Sequence, residues 1–235
     1  MGSADTFSAP TQSLIFDGLL FDFDGTIIDS TEAIVKHWHK VGEELKLDAK
    51  VILATSHGRR SIDVLRIVAP ERANWEYVSK VEGLIPREYG QDAVEIPGAR
   101  DLLHSLEEAK APWAVVTSGT KALVDGWLDV LKLARPKNLV VAEDVEVGKP
   151  DPRCYLLGRT RLDLGDEAKM LVVEDAPSGI RAGKAAGFKV LAVATTHKLE
   201  QLKEAGADWI VEDLRSVVLK SSNDQVEIEI RNALQ

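Results

Sequence analysis

The stretch LLFDFDGTIID, residues 19–29, begins as an apolar run and ends in acids. Two aspartates, Asp22 and Asp24, stand two residues apart, each preceded by a phenylalanine. The apolar run reads as a buried strand, and an ionised carboxylate at its end needs a counter-charge or hydrogen bonds. A metal ion, a lysine, a hydrogen-bonded turn or a calcium loop could supply them. The calcium loop fails on spacing: counted from Asp22, the glycine falls fourth instead of sixth, and the twelfth residue is Ala33 instead of an acid. The segment also follows a strand pattern, whereas a calcium loop follows a helix.

Working outward, short apolar runs recur as WAVVT (113–117), NLVVA (138–142), MLVVE (170–174), VLAVA (190–194) and DWIV (208–211). The first run extends back to Ser13 as SLIFDGLLFDF. Continuous valine, leucine and isoleucine without alternation suits strands buried on both faces. Helical patterns lie between them at 99–110, 121–132, 152–161, 179–186 and 199–205. Alternating strands and helices predict an α/β fold with a parallel sheet covered on both faces.

One interval breaks this rhythm. Residues 30–95 carry no convincing buried strand but several helical patterns: STEAIVKHWHKVGEEL, with Ser30 or Thr31 as cap, then RRSIDVLRIVAP and NWEYVSKVEGLIPREYG. About sixty-five residues exceed the dozen or so that a crossover requires. We therefore expect a small helical cap over 31–95, inserted into a core of 14–30 and 96–235, with a flexible tail over 1–13. The C-terminal SVVLKSSNDQVEIEIR predicts two short strands around a Ser-Ser-Asn-Asp turn, with structural significance only.

Composition removes several function classes. A net charge of −9 and no long basic block argue against a general nucleic-acid binder. No apolar run approaches the ~18 residues of a membrane span. The N-terminal MGSADTFSAPTQS lacks the basic and apolar regions of a signal peptide. Gly2 and Thr6 meet the loose myristoylation pattern, but a polar tail is the expected reading. Cys154 is the single cysteine, so no internal disulfide forms and a reducing, cytoplasmic compartment is expected.

The polar residues cluster where strands end. The first strand ends at Asp22-Phe-Asp24-Gly-Thr26, the second at Thr117-Ser118-Gly119 and the fourth at Glu174-Asp175, while Gly148-Lys149-Pro150 precedes a helix. Ligands of open parallel sheets bind beyond the carboxyl ends of the strands, so these clusters should converge on one crevice. GIRAGKAAG (179–187) is not a P-loop, because its spacing is one residue short and Ala185 replaces the required Ser/Thr. The inventory suits phosphoryl transfer. An aspartate can be a covalent nucleophile, a neighbouring carboxyl can move protons, and a lysine with hydroxyls can hold phosphoryl oxygens. Clustered carboxylates suit Mg²⁺.

FDFDGTIIDS, VVTSGT, GKPDP and VVEDAPSGIRAGKAAG resemble, in order, the four motifs of the haloacid dehalogenase superfamily, over about residues 18–212. That resemblance implies a Rossmann-like core with a helical cap after the first motif. It implies Asp22 as nucleophile and Asp24 as general acid/base, with Thr117, Ser118 and Lys149 binding phosphoryl. It further implies Mg²⁺ held by Asp22, the Asp24 carbonyl and Asp175, with Glu174 orienting metal-bound water.

SHGRRSIDVL and GLIPREYGQDAVEIPGA are similar to fungal glycerol-phosphate and 2-deoxyglucose-6-phosphate phosphatases, implying a small phosphorylated polyol or sugar as substrate. His57 and Arg60 are then expected to close over the crevice, the alternative being a basic surface turn. Arg59 is read as solvated, and His37 and His39 as ordinary cap-helix residues. A β-phosphoglucomutase-type mutase and a receiver-like phosphoaspartate switch use much of the same chemistry. A switch has no need of an acid/base at Asp24, and a dehalogenase would lack it.

Overall fold

The computed structural model describes residues 6–56 and 58–235. The chain runs through β1 (Gln12–Phe16), β2 (Gly18–Phe21) and β3 (Ile28–Asp29) into α1 (Thr31–Leu45), α2 (Ala49–Ser56), α3 (Ser61–Val68) and α4 (Trp75–Glu88). It returns through β4 (Val94–Glu95), α5 (Ala99–Glu108), β5 (Trp113–Val116), α6 (Lys121–Leu131) and β6 (Leu139–Val140). There follow α7 (Arg153–Arg161), β7 (Met170–Glu174), α8 (Pro177–Ala185), β8 (Lys189–Val193) and α9 (Leu199–Ala205). The last elements are β9 (Trp209–Val211), β10 (Val217–Ser222) and β11 (Val226–Ile230).

The main sheet is six-stranded and parallel, in the order β6-β5-β2-β7-β8-β9. Successive strand residues point to opposite faces. Leu19, Phe21, Val115, Val173 and Val193 therefore enter one apolar cluster, and Leu20, Ala114, Val116, Val172 and Ala192 the other. That double burial is why the runs are continuous in the sequence. From β2 the chain builds outward to β5 and β6, then crosses back to β7, β8 and β9. The loops after β2 and its neighbours thus diverge, opening a crevice at the carboxyl end of β2.

The run 13–23, read as one strand, is two. Asp17 divides it: its N–H donates to Lys169 O at 2.8 Å, and its carboxylate accepts from Lys169 N and the Gln225 side chain. Before this point β1 joins β11 and β10 in a separate three-stranded antiparallel sheet; after it β2 enters the main sheet. Val226, Ile228 and Ile230 of the C-terminal hairpin alternate into the first apolar cluster. Of the residues expected as a tail, 1–5 lie outside the described ones, Phe7 forms a bridge with Leu234, and β1 already begins at Gln12.

Helices α1 to α4 carry their own apolar cluster, with Trp38, Val41, Ile52, Ile62, Leu65 and Val78. They leave and rejoin the sheet through β3 and β4, which pair antiparallel as a two-stranded stalk. Ser30 occupies the cap position of α1 without capping it; Asp29 accepts the Thr31 N–H at 3.0 Å instead. Ser30 is used elsewhere, as described below. Among the described residues no helix is long and apolar enough to cross a membrane.

Candidate active site

β2 ends at Phe21, and the Asp22 N–H still donates to Val173 O of β7 at 2.9 Å, so the backbone of Asp22 is fixed by the sheet. The chain then turns tightly, with the N–H groups of Ile27 and Ile28 both donating to Phe23 O. Gly25 makes this turn possible twice over. Its φ is +88°, and a Cβ there would lie 2.2 Å from Asp175 Oδ2. The turn thereby brings the loop after β2 against the loop after β7.

Four carboxylates and one ammonium meet here. Lys149 Nζ donates to Asp22 Oδ1 at 2.5 Å, to Glu174 Oε1 at 2.7 Å and to Val116 O at 3.2 Å. Glu174 is held from all sides: Tyr155 Oη donates to Oε1 at 2.8 Å, and the N–H groups of Asp175 and Ala176 donate to Oε2 at 2.9 Å. Thr26 and Thr196 donate their hydroxyls to Asp175. Ser30 Oγ donates to Asp24 Oδ1 at 2.6 Å, which explains why it leaves α1 uncapped.

The charges do not balance. Asp22, Glu174 and Asp175 are buried and bring carboxylate oxygens within 4.8 Å of one another. Burial pushes the Asp22 carboxyl up to about 7, against the pull of Lys149, and Asp24 up to about 6, against the Ser30 hydrogen bond. Asp175 is raised well above its ordinary value by burial and by Glu174. Burial opposes the charge of Lys149, but Asp22 and Glu174 outweigh it and raise the ammonium's pKa. One lysine against this many buried carboxylates leaves a deficit of positive charge, which is what a cation site of oxygen donors requires. The residues fit a hard divalent metal.

The remaining expected residues divide. Thr117 is buried beside the crevice, its Oγ1 accepting the Gly119 N–H at 3.0 Å. Ser118 also lines the crevice, but its hydroxyl donates to Gly58 O at 3.1 Å, a contact between sheet loop and helical segment. His57 lies outside the described residues. Arg60 is not poised over the crevice. Its side chain is 2% exposed and fully engaged, donating to both Asp63 oxygens and to the carbonyls of Ala142, Val145 and Glu146. A guanidinium has five N–H donors and fastens several acceptors at once, so here it clamps the helices to the core. Arg59, read as solvated, is the arginine that borders the crevice.

Two residues on the helical wall are absent from the set that the sequence motifs pick out. Glu82 of α4 is buried, accepts from Ser61 Oγ at 2.5 Å and from Thr120 N at 2.8 Å, and is pushed up to about 7 by burial. His37 of α1 is 5% exposed and lines the same crevice, and burial lowers its pKa to about 4. A signal for each was present. Glu82 falls on the buried stripe of Val78 and Ile85, and His37 on that of Ala33 and Val41. A polar residue on an apolar stripe is the informative exception.

The sequence model of the family described as haloacid dehalogenase-like hydrolase matches residues 19–193. The chain belongs to that family. It is 43% identical over 227 residues to glycerol-1-phosphate phosphohydrolase 1 of Saccharomyces cerevisiae, covering 92% of this chain and 91% of the relative. It is 36% identical over 237 residues to 2-deoxyglucose-6-phosphate phosphatase 1 of the same yeast, covering 93% and 96%. Among solved structures, a hydrolase from Pseudomonas syringae superposes with a TM-score of 0.73 at 25% identity, over 84% of this chain and 94% of that one. This member of the family is a phosphoric monoester hydrolase.

Proposed function

We propose that the protein is a Mg²⁺-dependent phosphatase that hydrolyses a small phosphorylated polyol through an aspartyl-phosphate at Asp22. The observation that carries this reading is the cluster at the carboxyl end of β2 and β7, in which buried Lys149 and Asp175 stand behind Asp22 and Asp24, and these two aspartates line a crevice. The higher identity to the yeast glycerol-1-phosphate phosphohydrolase supports a polyol phosphate as substrate.

In this reading a carboxylate oxygen of Asp22 attacks phosphorus while the bond to the polyol oxygen breaks. Asp24, raised to about 6 by burial and oriented by Ser30, in its protonated form gives its proton to the departing oxygen. Asp24 then takes a proton from water, whose oxygen attacks phosphorus; the acyl-phosphate bond breaks, releasing inorganic phosphate and restoring Asp22. Lys149 and Thr117 offset and hold the phosphoryl oxygens. Asp22, Asp175 and the Asp24 carbonyl would hold Mg²⁺, which when bound supplies positive charge against the phosphoryl group. Glu174, with its oxygens already taken by Lys149, Tyr155 and backbone N–H groups, acts by fixing Lys149.

The helices over 31–95 act as a lid that limits substrate size and excludes water during the first step. Gly58 O, bonded by both Ser118 and Ser178, and the Arg60 clamp hold it against the core. A cytoplasmic location suits a chain whose single cysteine, Cys154, is buried and unpaired.

The test is phosphate release with Mg²⁺ across glycerol 1- and 3-phosphate, 2-deoxyglucose 6-phosphate and common sugar phosphates. Glycerol phosphate should give the highest kcat/KM. Release from none of them, or isomerised product in place of phosphate, overturns the reading.

A further inference from the structure

The crevice has two ends. Phosphoryl chemistry accounts for Asp22, Asp24 and Thr117 at the sheet end. At the other end stand His37, Trp38 and Ile34 of α1, with Ser61, Glu82 and Ile85 of α3 and α4. Most of these are apolar or already paired. His37 is different. Its Nε2 is buried and has no hydrogen-bond partner. The imidazole leans against Trp38, with ring centroids 5.4 Å apart, so the indole helps fix its plane.

A buried polar atom without a partner is rare in folded proteins and calls for a reason. Burial lowers the His37 pKa to about 4, so the ring is neutral at physiological pH and offers one N–H and one bare nitrogen. Neither member of that pair attracts phosphate strongly, whereas an alcohol can satisfy either, as donor or acceptor. Glu82 on the same wall has both oxygens engaged by one donor each, and a carboxylate oxygen can accept a second.

Resting on the phosphatase reading above, we infer that His37 recognises a free hydroxyl of the substrate's polyol, with Glu82 as a second acceptor, and so selects polyol phosphates over alkyl phosphates. The covered, unpaired Nε2 then gains its partner when the polyol seats against α1. A site built to bond a hydroxyl discriminates against the analogue that lacks it, because the site's own polar atom stays unpaired.

The comparison of glycerol 1-phosphate with propyl phosphate, which keeps the ester and loses both free hydroxyls, reads this directly. Wild-type protein with Mg²⁺ should prefer glycerol 1-phosphate by a factor on the order of 10² or more. His37→Phe replaces one flat ring by another and removes only the polar edge. It should lower kcat/KM for glycerol 1-phosphate by about tenfold or more while changing propyl phosphate by less than about threefold. Because His37 Nε2 bonds nothing in the free protein, His37→Phe should keep or raise the thermal midpoint of that protein; a structural role would lower it. His37→Asn, which restores a polar edge, should recover part of the preference, and Glu82→Gln should reduce it while keeping the Thr120 N–H acceptor. Equal losses on both substrates in His37→Phe, or no loss on either, overturn the assignment. Wild-type turnover of both substrates at the same rate also overturns it and leaves the phosphatase reading standing, whereas wild-type turnover of no phosphomonoester defeats that reading first.

Discussion

On the sheet side of the crevice the charged groups hold one another. Lys149 bridges Asp22 and Glu174, Glu174 takes four hydrogen bonds, and Ser30 and Thr196 fix Asp24 and Asp175. On the helical side His37, its ring against Trp38, keeps a buried nitrogen with no partner, and Ile34 and Ile85 line the same crevice. The first wall is rigid because its backbone leaves a parallel sheet and its side chains are cross-bonded. The second mixes apolar side chains with His37, Ser61 and Glu82 on helices that reach the core through a two-stranded stalk and a few clamps. In the proposed reading the chemistry and its target are held by different parts of the fold. A substitution on the sheet wall should remove turnover of every substrate, and one on the helical wall should change which substrate is turned over.

The largest expected effect comes from the sheet wall. Asp22→Asn removes the attacking oxygen's charge and should lower kcat by on the order of 10⁴-fold or more on all substrates alike. Asp24→Asn should cost ~10²–10⁴-fold, the usual range for a general acid/base. Steady-state phosphate release measures both. Substantial activity in either variant, or a loss confined to one substrate, would erase the distinction between the walls.

Arg60 tests the boundary between them. Arg60→Ala deletes a buried guanidinium that joins Asp63 to three carbonyls of the core. Each charge-assisted bond is worth roughly 1.5–3 kcal/mol, so chemical denaturation should show a loss of about 3 kcal/mol. The ranking of substrates should not change. A changed ranking at unchanged stability would mean that Arg60 reaches substrate after all.

The smallest effect is a pH dependence. Burial holds the Glu82 carboxyl at about 7, above its ordinary 4.5. The folded state therefore binds more protons than the unfolded one between these values, and stability is lost as pH rises through that window. Glu82→Gln mimics the neutral form. It should match wild type below about pH 5 and exceed it by up to about 3 kcal/mol near pH 8, from 1.36 kcal/mol for each pKa unit. Urea titrations of both proteins across this range give the difference. Parallel curves would place the Glu82 carboxylate in a more polar setting than its burial implies.

The sheet wall is also the more legible one. Buried parallel strands are continuous apolar runs, and the residues that follow them are forced to the same edge, so the amino-acid order alone brings Asp22, Asp24, Thr117, Lys149 and Glu174-Asp175 together. The split at Asp17 is not visible there, because residues 13–16 and 18–21 look alike although they pair in different sheets. The helical wall is harder to read. SHGRR draws attention by its charge, yet Arg60 turns away to clamp backbone carbonyls, while uncharged His37 faces the crevice. Which way a helix points its polar residue depends on what the helix packs against, and that is set by tertiary contacts between segments distant in sequence. Ser30 shows the same limit, since local rules give its hydroxyl to α1 and the fold gives it to Asp24.

The central claim is that Asp22 carries the phosphoryl group while the rest of the sheet wall serves that bond. Rapid acid quench during turnover of glycerol 1-phosphate, followed by borohydride, reduces an aspartyl-phosphate to homoserine, which peptide mass spectrometry can place in the sequence. The account predicts homoserine at position 22, dependent on substrate and Mg²⁺ and absent from Asp22→Asn. Full turnover with Asp22 unreduced, or homoserine at another position, would contradict it.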